Sequence, residues 1–112
     1  MEFFPVFMDL GGRDCLVVGG GTVAARKLGL LLRAGASVEV VAPQLCEKLV
    51  ALRDAGKIRH SARAFEAADV EGRALVIAAT SREAVNRSVS ELAKARNIPV
   101  NVVDQPKLCS FI

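Results

Sequence analysis

The segment that most constrains the fold runs from Cys15 to Lys27, where an apolar stretch gives way to three glycines and then to a basic stretch. This order is typical of a β-strand, a tight phosphate-binding turn and an α-helix. Gly19, Gly21 and Ala24 match G-x-G-x-x-A, in which the first glycine permits the turn, the second lets a pyrophosphate approach the backbone, and the alanine allows close helix packing. The helix N-terminus suits an anion. We expect a dinucleotide site here, with a plain structural turn as the alternative.

Length and composition predict one domain spanning residues 1–112, since 112 residues with 52% hydrophobic content can bury a core. No apolar stretch is long enough to span a membrane, and the N-terminus lacks the features of a signal peptide. These absences favour a cytoplasmic protein with no membrane partner. A net charge of +3 with scattered basic residues is too mild for nucleic-acid binding and better suits a small anionic ligand.

The three cysteines, Cys15, Cys46 and Cys109, are odd in number and show no C-x-x-C spacing. They predict neither a disulfide framework nor a metal site. His60 has no partner carboxylate or cysteine nearby in sequence, which favours a surface or structural role over a catalytic one.

Apolar periodicity and turn residues predict an alternating series of strands and helices. Strands are expected at 15–18, 37–42, 57–62, 74–79 and 99–103, and helices at 22–34, 44–55 and 80–97, the last with Thr80 as cap and Glu83 reaching back to it. One helical turn is expected at 66–69, and residues 3–10 are strand-like. Right-handed crossovers turn this series into an α/β, Rossmann-type open parallel sheet in the order 3-2-1-4-5, with helices on both faces.

Ligands of such sheets bind beyond the carboxyl ends of the strands, where the strand order reverses. Here the segments 19–23, 79–81 and 101–107 should meet at that point. Asp104 is the one carboxylate that this geometry delivers to the crevice, so it is a candidate for acid–base work. A turn aspartate capping Pro106 and Lys107 is an equally weighted alternative.

The end of the second strand leaves the choice between NAD and NADP open. NAD-binding sheets usually carry an acidic residue there for the ribose, and NADP-binding sheets an arginine nearby. Glu39 lies inside the strand, and the following residues, Val41 to Gln44, include neither type. Backbone groups around Pro43 and Gln44 are then expected to hold the adenosine ribose.

Two motifs resemble those of a known family. They are G-G-G-T-V-A-A-R-K, which begins at Gly19, and N-V-V-D-Q-P-K-L-C-S-F-I, which begins at Asn101. Together they are similar to the N-terminal domain of siroheme synthase, the precorrin-2 dehydrogenase and sirohydrochlorin ferrochelatase. The similarity spans essentially all 112 residues.

This resemblance implies oxidation of precorrin-2 to sirohydrochlorin with NAD as cofactor, followed in the same site by insertion of Fe²⁺ as a substrate to yield siroheme. The family's catalytic aspartate corresponds to Asp104, and its NAD contacts fall at 22–23 and 43–44. With the glycine turn and the end of the fourth strand, the expected cofactor-binding residues are Gly19, Gly20, Gly21, Thr22, Val23, Pro43, Gln44 and Thr80. No resident metal is expected.

Members of this family continue beyond S-F-I into a dimerisation region and a helical domain, and some add a methyltransferase module. The resemblance therefore implies an N-terminal fragment of a longer, multidomain protein that forms a homodimer when complete. Two alternatives stay open: a regulatory module that binds NAD without turning it over, and a dehydrogenase of an unrelated small substrate.

Overall fold

The structure, a computed structural model, describes residues 3–112 as alternating strands and helices. In chain order these are β1 (Asp14–Val18), α1 (Thr22–Arg33), β2 (Ser37–Val41), α2 (Glu47–Asp54), β3 (Arg59–Ser61), β4 (Leu75–Ala78), α3 (Glu83–Ala95) and β5 (Val100–Val102). Two short 3₁₀ turns, Ala67–Val70 and Pro106–Leu108, precede β4 and follow β5. None of the helices described within 3–112 has both the length and the apolar character needed to cross a membrane.

All five strands run parallel in the order β3-β2-β1-β4-β5. Val17 of β1 lies opposite Val40 of β2 on one side and Ile77 of β4 on the other. The strand order reverses between β1 and β4. The predicted sheet order is thus confirmed, and it puts the carboxyl ends of β1 and β4 side by side.

The core consists of two layers, one on each face of the sheet. Val17 packs with Leu28 of α1 and Leu49 of α2 on the first face. Leu16, whose side chain points the opposite way, packs with Val89 of α3 on the second. The strands are apolar on both sides because both faces are covered, and the prediction of helices on both faces is confirmed.

The predicted strand over residues 3–10 is wrong: the structure describes no strand there. β1 already pairs with β2 and β4, so neither of its edges can accept another strand. Phe4 and Phe7 are 86% and 105% exposed, while Leu10 is buried against the α1 and α2 face. The segment therefore contacts the core at its end only.

Two helix starts differ from prediction. α2 begins at Glu47 rather than at residue 44, because the N–H of Cys46 donates instead to the Gly20 carbonyl at 2.7 Å. The capping box on Thr80 is also wrong, since the residue that caps α3 is Arg82. The Thr80 hydroxyl donates to Asn86 Oδ1 at 2.7 Å, which holds the β4–α3 connection as a turn.

A polar network joins the β2–β3 edge to the loops before β4. Glu39 accepts hydrogen bonds from Arg73 and Ser61, each at 2.6 Å. Burial raises the pKa of Glu39, but these two hydrogen bonds outweigh it and hold the pKa below its ordinary value. In the 3₁₀ turn, the Asp69 carboxylate accepts from the Arg63 guanidinium and from the Glu66 N–H, both at 2.8 Å.

This network leads us to expect that the free energy of unfolding falls at acid pH. The Arg63 hydrogen bonds, opposed by burial, hold the pKa of Asp69 below its ordinary value, as the bonds to Glu39 do for that residue. A lowered carboxyl pKa contributes stability that is fully present above the ordinary pKa of about 4, declines as pH falls below that value, and is lost once pH falls through the lower native pKa. Asp69→Asn should lower the free energy of unfolding by about 1–2 kcal/mol at neutral pH. This figure allows for solvent screening of the ion pair, because Arg63 is partly exposed.

Urea unfolding at pH 7 and pH 3 tests this expectation. The difference between Asp69→Asn and the parent should be smaller at pH 3 than at pH 7, because the Asp69 carboxyl of the unfolded chain takes up its proton before the native one does. Asp54→Asn is the control, because the ion pair of Asp54 with Arg53 is exposed on both sides. An equal loss of stability at both pH values would contradict the electrostatic role of Asp69.

Candidate functional site

An open crevice of about 850 Å³ lies at the carboxyl ends of the strands, where their order reverses. Every residue predicted to bind cofactor or to act in catalysis borders it: Gly19, Gly20, Gly21, Thr22, Val23, Pro43, Gln44, Thr80 and Asp104. The expected meeting of the three loop segments is therefore observed. The chemical roles of these residues stay predictions.

The first two glycines of the turn are required by neighbouring backbone. Gly19 has φ +131°, and a Cβ there would lie 2.4 Å from the Ala79 carbonyl oxygen. A Cβ on Gly20 would lie 1.9 Å from the Gln44 carbonyl oxygen. Both contacts are far too short for any side chain, so only glycine fits at these two positions of the crevice wall.

Gly21 differs from its neighbours because a Cβ there would meet nothing within 4 Å. It caps α1 in an extended conformation, at φ −91° and ψ −170°. Within residues 3–112, no acceptor pairs with the first-turn N–H groups of Thr22, Val23 and Ala24. The turn thus presents backbone donors and open space to the crevice, an arrangement suited to a phosphate.

The loop between β2 and α2 forms the second wall. Gly19 donates its N–H to the Val41 carbonyl at 3.1 Å, and the Cys46 N–H bonds Gly20 as described above. These bonds fix the exposed Pro43 and Gln44 against the glycine turn. Glu39 is engaged with Arg73 and Ser61 inside the sheet, so it does not serve as the acid that usually binds a ribose.

Asp104 follows β5 at the opposite wall and is the one carboxylate among the residues lining the crevice in the described part of the chain. Its φ of +61° is left-handed, a conformation that is uncommon outside glycine but tolerated by aspartate and asparagine. Within 3–112, no hydrogen bond engages its carboxylate. Both oxygens are therefore free to accept a proton or a hydrogen bond from a ligand.

The chain after Asp104 folds back along the free edge of β5, a feature that sequence reasoning missed. The Ser110 N–H donates to the Val100 carbonyl at 2.8 Å, and the Ser110 hydroxyl accepts from the Val100 N–H at 2.9 Å. Cys109 Sγ accepts from the Val102 N–H at 3.1 Å. These hydrogen bonds fix the turn that carries Asp104. In the sequence, the S-F-I motif was the only sign of this folded-back segment.

Two further crevice residues were also missed. Arg82, at the start of α3, is the one basic side chain lining the crevice within the described residues, and Phe65 lies in the loop after β3. Phe65 was hidden in a stretch without clear periodicity. Arg82 was overlooked because the sequence pattern pointed to Thr80 as the cap.

No group of three or more histidine, cysteine or acidic side chains in residues 3–112 is arranged to hold a metal ion. The described cysteines are all free thiols. Burial raises the pKa of the Cys15 thiol within the sheet, so Cys15 behaves as a core residue.

Comparisons with known proteins agree with this geometry. A family model described as "Putative NAD(P)-binding" matches residues 6–112. Siroheme synthase from Thioalkalivibrio sulfidiphilus is 62% identical over the whole chain, which covers 23% of that protein. Siroheme synthase from Methylobacillus flagellatus is 58% identical, again over the whole chain and 24% of the relative. The resemblance predicted from the two motifs is confirmed.

The same fold occurs in a solved structure titled SirC, precorrin-2 dehydrogenase. The match has a TM-score of 0.79 at 31% identity and covers 92% of this chain and 50% of that one. The chain spans about a quarter of the length of the siroheme synthases and half of the dehydrogenase. With the family model covering nearly all of its residues, the chain belongs to the NAD(P)-binding family, and a nicotinamide dinucleotide is its cofactor.

Proposed function

We propose that residues 1–112 are the NAD-binding domain of a siroheme synthase, from the N-terminal part of a longer chain, and that the complete protein oxidises precorrin-2 to sirohydrochlorin. The observation that carries the proposal is the crevice in which Asp104 faces the glycine turn. A dinucleotide site and an unengaged carboxylate at one opening are what a dehydrogenase with proton transfer requires. The siroheme synthases and the precorrin-2 dehydrogenase described above support this choice of substrate.

The cofactor would be held by backbone more than by side chains. The N–H groups at the start of α1 face the pyrophosphate position, and the loop at Pro43 and Gln44 borders the adenosine ribose. Thr80 borders the crevice between the glycine turn and Arg82, with its hydroxyl already bonded to Asn86. Bound NAD supplies a hydride acceptor at its nicotinamide ring.

Asp104 then acts as the proton acceptor. Oxidation of precorrin-2 removes a hydride and a proton, and a carboxylate within reach of the tetrapyrrole can take that proton. Entry of Fe²⁺, as a substrate, releases two pyrrole N–H protons, and the same carboxylate can relay them one at a time to water. One exposed aspartate thus serves both reactions.

The tetrapyrrole carries several carboxylates, and the basic side chains near the opening suit such a ligand. Arg82 lines the crevice, and Lys107 follows Asp104 in the next 3₁₀ turn. Both are exposed and positively charged, so they steer an anionic substrate toward the opening. Their effect should weaken as salt concentration rises.

We further infer that the complete protein is a cytoplasmic homodimer. Three free thiols fit a reducing compartment. Large apolar side chains at Phe4, Val6 and Phe7 are exposed and available to further regions of the chain or to a second copy.

Activity measurements on two chain lengths test the proposed function. The complete protein should oxidise precorrin-2 with NAD. Residues 1–112 alone should do so poorly or not at all, because they span about a quarter of the siroheme synthases and further regions are expected to complete the cleft for so large a substrate. NADH formation followed by absorbance is the measurement. Full-rate oxidation by residues 1–112 would contradict the need for further regions, and NAD binding without turnover in the complete protein would favour a sensing module.

A further inference from the structure

A second cavity of about 360 Å³ lies beside the crevice, between α1 and the first turn of α2. Three of its lining residues are basic, namely Arg26 and Arg33 on α1 and Lys48 on α2. Thr22, Ala25 and Gly29 complete its wall, and no acidic residue borders it in the described part of the chain. The cavity thus combines small side chains, which leave room, with like charges around that room.

These three cations have no partners within residues 3–112. Arg26, Arg33 and Lys48 take part in none of the ion pairs or side-chain hydrogen bonds there, whereas arginines elsewhere do: Arg63 bonds Asp69, Arg73 bonds Glu39 and Arg96 bonds Glu71. Like charges around one cavity repel each other, and a bound anion relieves that repulsion. A phosphate suits such a set, because a guanidinium can donate two hydrogen bonds to it and an ammonium adds a compact positive charge.

The cavity adjoins the crevice. Thr22 lines both spaces. Lys48 is held near the glycine turn because the neighbouring Cys46 bonds Gly20. In sheets of this type, the 2′ position of the adenosine ribose lies near the end of the second strand, which is where α2 and its preceding loop begin. This side of the crevice offers no acid to bind a 2′-hydroxyl.

We propose that the cavity between α1 and α2 binds a phosphate monoester, the 2′-phosphate of NADP, through Arg26 and Lys48. The domain then accepts NADP in addition to NAD. Arg33 lies two turns of helix beyond Arg26 and adds long-range attraction, with a smaller effect than the other two. The inference rests on the proposed dinucleotide binding, and it assigns a phosphate site that the strand-end sequence did not reveal.

Calorimetry on residues 1–112 separates the 2′-phosphate from other phosphates. Adenosine 2′,5′-bisphosphate should bind about tenfold more tightly than adenosine 3′,5′-bisphosphate, which has the same charge. Arg26→Gln and Lys48→Gln should each remove most of that preference, and Arg33→Gln less. Lys57→Gln, which changes the net charge equally at the α2–β3 turn, should preserve it. NADP should bind at least as tightly as NAD.

Three outcomes would overturn the proposal. Equal affinity for the two bisphosphates would exclude a 2′-phosphate site even if NAD binds normally, and would leave the dehydrogenase proposal intact. Inorganic phosphate that binds through Arg26 and Lys48 without any 2′ preference would indicate a site for free phosphate instead. If neither NAD nor NADP binds, the proposed function fails together with this inference.

Discussion

Replacement of Asp104 by asparagine in the complete protein is expected to slow both precorrin-2 oxidation and iron insertion, by roughly 10²- to 10⁴-fold. Asparagine keeps the size of the side chain and tolerates the left-handed backbone at φ +61°, so the turn should survive. It cannot accept a proton at neutral pH. NAD affinity and thermal stability should change little, because the proposed cofactor contacts lie at the glycine turn on the other wall.

Rates of NADH formation and of siroheme formation, measured separately, test this expectation. Glu91→Gln is a matched control, since Glu91 is an exposed carboxylate on α3 outside the crevice. A variant that unfolds at lower temperature while its folded fraction keeps normal rates would make Asp104 a structural turn residue. Loss of one activity alone would mean that oxidation and chelation use different proton acceptors.

Gly21→Val is expected to lower NAD affinity about 100-fold while leaving the fold intact. The valine side chain would occupy the open space in front of the α1 N-terminus and displace the pyrophosphate from at least one backbone N–H, a charge-assisted contact worth about 1.5–3 kcal/mol. The extended backbone of Gly21 accepts a β-branched residue without strain. The cost in stability should be about 1 kcal/mol or less.

The neighbouring Gly20→Ala is expected to lower the stability of the fold more than Gly21→Val does. Its Cβ would overlap the Gln44 carbonyl oxygen, so the β2–α2 loop must move, at a cost of about 1–3 kcal/mol in stability. Calorimetry with NAD and thermal unfolding on the same samples distinguish the two effects. Ser88→Ala is the control, because Ser88 is exposed on α3 and lines neither the crevice nor the cavity between α1 and α2. Undiminished NAD binding by Gly21→Val would refute the phosphate-turn assignment.

The parts of the site that could be predicted are those whose signal is local. Gly19, Gly21 and Ala24 mark the turn by their spacing alone, and the apolar strands on either side need no distant partner to be recognised. The exposed position of Asp104 beyond β5 also follows from strand order. The distinction between Gly20, packed against the Gln44 carbonyl, and Gly21, open to the crevice, depends on a loop more than 20 residues away.

Errors of prediction occurred where a local signal competed with a contact to another part of the chain. Residues 3–10 have the composition of a strand, yet both edges of β1 are occupied by β2 and β4. Thr80 and Glu83 fit a capping box, yet the Thr80 hydroxyl bonds Asn86 and the helix starts later. In the first case, the pairing of β1 with two distant strands outweighed a local strand preference. In the second, a hydrogen bond to a residue one turn into the helix outweighed the capping preference.

Sequence by itself determined the order of strands and helices, the position of the glycine-rich turn and the family, because these depend on periodicity and on residues adjacent in the chain. Only the tertiary structure decided which charges meet. It brings Arg26 and Arg33 of α1 beside Lys48 of α2, and it sets Arg82 as the basic side chain in the crevice with Asp104. Electrostatic interactions act through space, so a site built from separate helices and loops has no signature at any one position of the sequence.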